Sequence, residues 1–183
     1  MTTFDDIILD AEASENDDDF ESELEAIEIE LVVLALAGTT VTDDGAGGVQ
    51  AIDGAGDVLR ELRDAGVKIA LTTGLPGGSY GALLDELGWR DLVDVTLSPA
   101  DALRGRPFPD VPLTALLRTS VSRVDAVVVV GDTAGDMVSG AAAGAGLIVG
   151  VLTGAHDAPT LTEAGADDVL DSIADLPALL GLR

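Results

Sequence analysis

The sequence predicts an α/β protein built as a three-layer, doubly wound parallel sheet of about five or six strands. Short apolar runs rich in valine, isoleucine and leucine recur from residue 31 onward, and segments with a helical spacing of apolar residues separate them. Strands that are apolar on both faces are typical of parallel sheets covered by helices on each side. The length of 183 residues, 47% of them hydrophobic, is sufficient for one core and short for two domains.

Each predicted element follows from its own stretch of sequence. Residues 31–37 form an apolar run, LVVLALA, with the length of a buried strand. Val58, Leu59 and Leu62 share one helix face, and the later run GALLDELG repeats this spacing. The predicted strands lie in LVVLALAG, VKIALTTG, DVTLSP, AVVVVGD, LIVGVLTG and DDVLD, and the predicted helices in GAGDVLRELRDAG, GGSYGALLDELG, DVPLTALLRTSV, AGDMVSGAAAGAG, APTLTEAG and IADLPALLG.

The composition excludes several classes of partner and chemistry. With 34 acidic and 9 basic residues, for a net charge of −25, the chain repels nucleic-acid backbones and anionic membrane surfaces. No apolar run approaches the ~18–20 residues of a membrane span. The amino terminus shows no secretory signal, so we expect a cytoplasmic protein. The absence of cysteine excludes disulfides, thiolate metal sites and a cysteine nucleophile.

Residues 1–30 differ from the predicted domain, which spans residues 31–183. They contain many acidic residues and no basic one. Such a self-repelling segment with few large apolar groups predicts a disordered tail. Two roles are open for it: a solubilising tail and a docking segment for a basic partner.

Two carboxylates follow a predicted strand at the edge where ligands bind in sheets of this kind, which is the carboxyl edge. Asp132 and Asp136 are four residues apart at the start of a helix. Paired carboxylates at such an edge suit a hard cation such as Mg²⁺. The alternative is that Asp132 caps the helix and Asp136 is a solvated acid of its first turn.

A possible phosphate site follows other strands at the same edge, formed by Thr72, Thr73, Gly74 and Arg106. The hydroxyl of Thr72, with free N–H groups nearby at Thr73 and Gly74, fits a phosphate oxygen, and the alternative is ordinary turn chemistry. Arg106 lies on a loop bounded by glycine and proline. Its guanidinium suits a phosphate, and the alternative is a surface arginine.

The stretches LALAGTTVTDDG, VKIALTTG, RGRPFPD and GDTAGDMVSGAAAGAGLIVGVLTGAH, in this order, resemble the motifs of the haloacid-dehalogenase superfamily, in its phosphonatase-like branch. The resemblance covers the whole predicted domain. It implies a Rossmann-like core and an Mg²⁺-dependent hydrolase that uses an aspartyl-phosphate intermediate. It also implies that Thr72 binds the phosphoryl group, that Arg106 replaces the usual neutralising lysine, and that Asp132, Asp136 and the backbone carbonyl of Ala37 hold Mg²⁺.

The sequence departs from this family at the residue that performs the reaction. The family's first motif begins with the nucleophilic aspartate, and Ala35 stands at that position. A methyl group can neither attack phosphorus nor bind a metal. We therefore expect weakened Mg²⁺ binding and little or no phosphatase activity. An alternative nucleophile would be Asp43 or Asp44, a short distance further along the chain.

The second departure concerns the domain that covers the site in relatives. Only a turn, a glycine-rich hairpin and one helix fit between Ala35 and Thr72, so we expect no helical cap. In phosphonatases the cap supplies a Schiff-base lysine, whereas the only lysine here, Lys68, belongs to the core. We therefore do not expect hydrolysis of phosphonoacetaldehyde. His156 is expected to be a structural or surface residue.

Two functions are consistent with these features. The first is a phosphohydrolase scaffold inactivated at Ala35. The second is a non-catalytic binding or regulatory protein that uses the retained phosphate and Mg²⁺ site, or the acidic tail, to engage a partner. The expected partners are a small phosphorylated ligand and a second subunit or another protein that covers the open site, with no nucleic acid and no membrane.

Overall fold

A computed structural model describes residues 28–43, 48–74, 79–98 and 100–182. Residues 1–27 of the predicted tail lie outside this part of the chain, as does Asp44. In chain order the elements are β1 (Leu31–Ala35), β2 (Val41–Asp43), β3 (Val49–Ala51), α1 (Ala55–Asp64), β4 (Lys68–Thr72), α2 (Ser79–Leu87), β5 (Val95–Leu97), α3 (Asp110–Thr119), β6 (Val127–Gly131), α4 (Ala134–Ala143), β7 (Leu147–Val151), α5 (Ala158–Glu163), β8 (Asp168–Leu170) and α6 (Leu176–Leu179).

The main sheet has six strands in the order β5-β4-β1-β6-β7-β8. Every pair of neighbours in it is parallel. The strands β2 and β3 form a separate antiparallel hairpin. Both the predicted class and the predicted number of strands are confirmed.

Strand β1 shows why the sequence reads as continuous apolar runs. Val32 and Leu34 pack in the core cluster that includes α1, whereas Leu31 and Val33 pack in the cluster that includes α3. Because successive side chains of a strand point to opposite faces, burial on both faces requires an apolar residue at every position.

The strand order places three strand ends side by side. Strand β1 lies between β4 and β6, and the chain builds outward from β1 to β4 and β5 before it returns to β6 on the other side. This reversal is the topological switch point, where open parallel sheets of this class bind their ligands. The ends concerned are Ala35, Thr72 and Gly131.

Between β1 and β4, the described residues form the β2–β3 hairpin and α1. Lys68 begins β4 and therefore lies at the amino edge of the sheet, opposite the predicted site. Its Nζ atom is 3.4 Å from a carboxylate oxygen of Asp94. In the part of the chain that the structure describes, no helix has the length and apolar character to cross a membrane.

Candidate functional site

The carboxyl end of β1 is a tight, well-bonded turn around an apolar residue. Ala35 is buried, with 4% of its surface exposed, and is in register with Thr72 of β4. The turn that follows needs glycine at Gly38, because its φ of 77° lies in the left-handed region. The hydroxyl of Thr40 donates to the carbonyl of Leu36 at 3.0 Å and holds the turn closed. This edge is therefore ordered although its strand ends in a methyl group.

Asp132 follows β6 and is buried between two loops. Its carboxylate accepts hydrogen bonds from the Thr39 hydroxyl at 3.2 Å and from the Ala155 N–H at 2.9 Å. A Cβ atom at either Gly38 or Gly154 would collide with this carboxylate. Asp132 therefore joins the loop after β1 to the loop after β7, and both loops need glycine to approach it.

Asp136 is buried at the start of α4, with 3% of its surface exposed. Thr133 is the N-cap of this helix, and the two residues form a reciprocal capping box in which the Thr133 N–H donates to Asp136 Oδ2 at 3.1 Å. Burial raises the pKa of the Asp136 carboxyl, and the nearby Arg106 opposes that shift. The alternative in which Asp132 caps the helix and Asp136 is solvated is therefore wrong, because the helix begins one residue later.

Arg106 connects the ends of β4 and β6. It forms an ion pair with Asp136, and its Nη2 donates to the Thr72 hydroxyl oxygen at 2.5 Å. About a third of the Arg106 side chain is exposed, 31%. Arg106 is therefore a partly exposed cation held by two residues of the predicted site, rather than a free surface arginine.

The turn after β4 has fewer free N–H groups than the sequence predicted. The Thr73 N–H donates to the Leu97 carbonyl at 2.9 Å, as part of the bonding between neighbouring strands. The prediction of a free N–H at Thr73 is therefore wrong. The Thr72 hydroxyl donates to the Leu34 carbonyl at 3.3 Å, and its oxygen accepts from Arg106.

His156 belongs to the same edge and plays a structural part there. Its Nδ1 accepts a hydrogen bond from the Ala134 N–H at 2.9 Å, at the first residue of α4. The backbone N–H of His156 donates to the backbone carbonyl of Asp132 at 3.1 Å. The contacts agree with the structural role expected for His156, although the sequence contained no sign of its partners.

A cavity of about 720 Å³ opens over this edge. Six residues of the predicted site line it: Ala37, Thr73, Gly74, Arg106, Asp132 and Asp136. Thr72 lines an adjacent cavity of about 120 Å³ that Arg106 shares. Neither cavity has Ala35 in its lining. The structure thus brings the predicted residues to one edge, where Thr72 lines the smaller cavity and Arg106 lines both.

The two predicted metal ligands have different surroundings. Asp136 faces Arg106 and Thr133, whereas Asp132 faces Thr39 and Ala155. Among the described residues, no group of three or more histidines and acids has the arrangement of a metal site. Binding of Mg²⁺ here stays a prediction.

Comparison with known proteins finds a family model and curated relatives that match this sequence. The family model of the haloacid dehalogenase-like hydrolases matches residues 6–144. The chain is 31% identical over 160 residues to a phosphonoacetaldehyde hydrolase of Parabacteroides distasonis, a match that covers 70% of this chain and 58% of the relative. It is 34% identical over 113 residues to validoxylamine A 7'-phosphate phosphatase of Streptomyces hygroscopicus subsp. limoneus, covering 62% of this chain and 52% of that phosphatase. The chain therefore spans somewhat more than half the length of these curated relatives.

A solved structure shows the same architecture. The crystal structure of a hydrolase of this family from Deinococcus radiodurans R1, with bound phosphate and sodium, superimposes with a TM-score of 0.65 at 34% identity. The match covers 74% of this chain and 62% of the other.

Proposed function

The chain belongs to the haloacid dehalogenase-like hydrolases, and we propose that it binds a small phosphorylated ligand at the carboxyl edge of its sheet without transferring the phosphoryl group. The observation that carries this proposal is Ala35. It ends the central strand, it is buried, and it is in register with Thr72. The family's reaction needs a nucleophilic carboxylate at that position.

The neighbouring carboxylates are poor substitutes for the missing nucleophile. The Asp136 carboxylate is already bound in an ion pair with Arg106 and in the capping box with Thr133. Asp132 is bonded to two loops and buried among them. An attacking oxygen must be held close to phosphorus and in line with the leaving group. Moving either carboxylate would break the contacts that hold the edge together.

Phosphate recognition, in contrast, rests on residues that are present. The Arg106 guanidinium and the Thr72 hydroxyl are 2.5 Å apart, so one oxyanion would contact both if the hydroxyl turned its proton away from the Leu34 carbonyl. The first turn of α4 lies beside them, and the N-terminal end of a helix favours negative charge. A phosphoryl group at this edge would take over part of the bonding that Arg106 now gives to Asp136.

The charge of the edge calls for a cation when such a ligand binds. When both are ionised, Asp132 and Asp136 carry two negative charges against one positive charge on Arg106, which opposes a phosphate dianion. Mg²⁺ is bound in proteins by one or two carboxylates together with waters and phosphate oxygens. The donors here fit that pattern, because the Asp132 carboxylate retains acceptor capacity and Ala37 lines the cavity beside it.

In this proposal Asp132 and the Ala37 carbonyl would hold Mg²⁺, and the ion would offset the charge of the phosphoryl oxygens. Residue 35 adds no ligand, so we expect ion and phosphorylated ligand to bind much more tightly together than separately. Phosphonoacetaldehyde stays an unexpected substrate, because Lys68 lies at the opposite edge of the sheet.

The test compares the natural protein with Ala35→Asp and Ala35→Asn. Release of phosphate from acetyl phosphate and p-nitrophenyl phosphate is measured with and without Mg²⁺, and calorimetry with phenyl phosphate measures binding. We expect binding without turnover for the natural protein and for Ala35→Asn. Slow Mg²⁺-dependent turnover is expected for Ala35→Asp, because only that variant restores a nucleophile.

Robust turnover by the natural protein would contradict the proposal. If Asp43→Asn abolished that turnover, a hydrolase with an unusual nucleophile would be the better description. Asp43 ends β2, and its backbone pairs with Val49 in the hairpin. The expected second subunit or protein partner over the open site stays a proposal, for which sedimentation of the purified chain is the direct measurement.

A further inference from the structure

The cavity over the candidate site is larger than a phosphoryl group requires. Its volume of about 720 Å³ lies in the range of about 300–1,000 Å³ that accommodates whole small-molecule ligands. If a phosphoryl group contacts Arg106, most of the cavity is left for the organic part of the ligand. The lining of that space therefore bears on which ligand binds.

The lining is divided by polarity. The ionisable side chains Arg106, Asp132 and Asp136 come from the loop before α3 and from the region that begins α4. Hydroxyl groups are added by the loops after β4, β6 and β7, at Thr73, Thr133 and Thr153. The hairpin, α2 and the end of β1 contribute an apolar wall, formed by Leu36, Val41, Val49 and Leu83.

The apolar wall is accessible to a ligand. Its accessible part is Val49, with 41% of its surface exposed, and the half-buried Leu83, whereas Leu36 and Val41 are buried behind them with 2% exposed each. Among the described residues that the hairpin and α2 contribute to the cavity, Thr42 is the single polar one. A ligand on this wall would find little hydrogen bonding.

Two chemical consequences follow. Hydroxyl groups of a sugar or nucleoside would lose water on this wall and find the Thr42 hydroxyl as its one polar side chain, which disfavours them. A second anionic group, such as a carboxylate, would lack a cation, because Arg106 is the single basic residue among the described residues of the lining. An apolar organic group would instead gain from burial.

We infer that the wall formed by Leu36, Val41, Val49 and Leu83 selects phosphate monoesters with a compact apolar organic group, of the alkyl or aryl kind. This inference rests on the proposed function. It assigns the hairpin a role in ligand selection.

The experiment measures binding by calorimetry in the presence of Mg²⁺, with inorganic phosphate, phenyl phosphate, glucose 6-phosphate and phosphoglycolate as probes. We expect phenyl phosphate to bind about tenfold more tightly than each of the other three, through burial of its ring. In Val49→Thr, which keeps the shape of the side chain and adds a hydroxyl, this preference should fall severalfold. The affinity for inorganic phosphate should stay unchanged, which also shows that the variant is folded.

Val138→Thr is the matched control. Val138 lies on α4, is not part of the lining of this cavity, and has the same exposure of 41% as Val49. The preference for phenyl phosphate should be unaffected in that variant. Leu83→Gln gives a second alteration of the wall and should act in the same direction as Val49→Thr.

The outcomes separate the two proposals. If none of the four probes binds, the proposed function fails and the inference fails with it. If inorganic phosphate binds but phenyl phosphate has no advantage, the proposed function stands and the inference is overturned. The inference is also overturned if Val49→Thr and Val138→Thr change the preference equally.

Discussion

The carboxyl ends of β1 and β6 are neighbours in the sheet but carry different kinds of side chain. After β6, the carboxylates of Asp132 and Asp136 are buried and bonded to residues of other loops. After β1, Ala35 has only a methyl group, although the turn that follows it is fully formed. The comparison shows that the geometry of this edge is maintained by bonds to Asp132, Asp136 and Gly38, and does not require a nucleophile at residue 35.

The largest effect on stability is expected for Gly38→Ala, which alters the place where the two ends meet. Alanine would have to adopt a left-handed conformation and its Cβ would strike the Asp132 carboxylate. We expect a loss of about 3 kcal/mol in the free energy of unfolding, measured in urea. Gly66→Ala is the control, because Gly66 has a similar φ of 81° and no atom within 4 Å of the added Cβ. It should cost about 1 kcal/mol. Equal losses would show that Asp132 does not constrain the loop after β1.

A somewhat smaller effect is expected for Arg106→Met, which acts on the ends of β4 and β6. The variant leaves the buried Asp136 carboxylate without its cation. Because the Arg106 side chain is 31% exposed, water compensates in part, and we expect a loss of about 2 kcal/mol. Arg104→Met removes the more exposed pair with Asp110 and should lower the stability less than Arg106→Met does in the same urea titration. A larger loss for Arg104→Met would contradict the importance given to burial.

His156→Phe tests the loop after β7, which also supports the β6 end. The variant removes the acceptor of the Ala134 N–H and should cost about 1 kcal/mol. Hydrogen exchange of the Ala134 amide should become faster at the same time. His156→Asn keeps an acceptor in the side chain and should lose less. Unchanged exchange at Ala134 in His156→Phe would rule out this role for the ring.

The smallest effect expected is the dependence of stability on pH, because opposing influences act on the pKa of Asp136. Burial raises its pKa above the ordinary 3.8, while Arg106 and the Thr133 hydroxyl lower it. A carboxyl with a raised pKa takes up its proton first in the folded state. The folded state therefore gains stability as pH falls from the raised pKa towards 3.8.

The measurement compares the urea stability of the natural protein with that of Asp136→Asn at several pH values. The carboxyls of Asp101, Asp110 and Asp157 have lowered pKa values and destabilise both proteins on acidification. The difference between the two proteins isolates Asp136. Relative to the variant, the natural protein should gain stability as the pH is lowered, and a relative loss would contradict the burial of this charge.

Much of the edge was predictable, and the errors concern single atoms. Thr133 and Asp136 form the Thr-x-x-Asp pattern of a capping box, which is visible in the sequence. The alternative with Asp132 as the cap moved the start of α4 by one residue, because threonine and aspartate are both good N-caps. The Thr73 N–H was expected to be free because its acceptor, the Leu97 carbonyl, lies on β5, which only the tertiary structure places beside β4.

The sequence by itself determined the parallel α/β class, the order of the elements, the family, and the absence of a carboxylate at residue 35. These features depend on local composition and on the identity of single residues, which periodicity and motifs record directly. Only the tertiary structure decided the partners: Arg106 with Asp136 and Thr72, Thr39 and Ala155 with Asp132, and His156 with the N–H of Ala134. Most of these pairs join residues far apart in the chain. They meet because β1 lies between β4 and β6, which brings the loops after separate strands to one edge of the sheet.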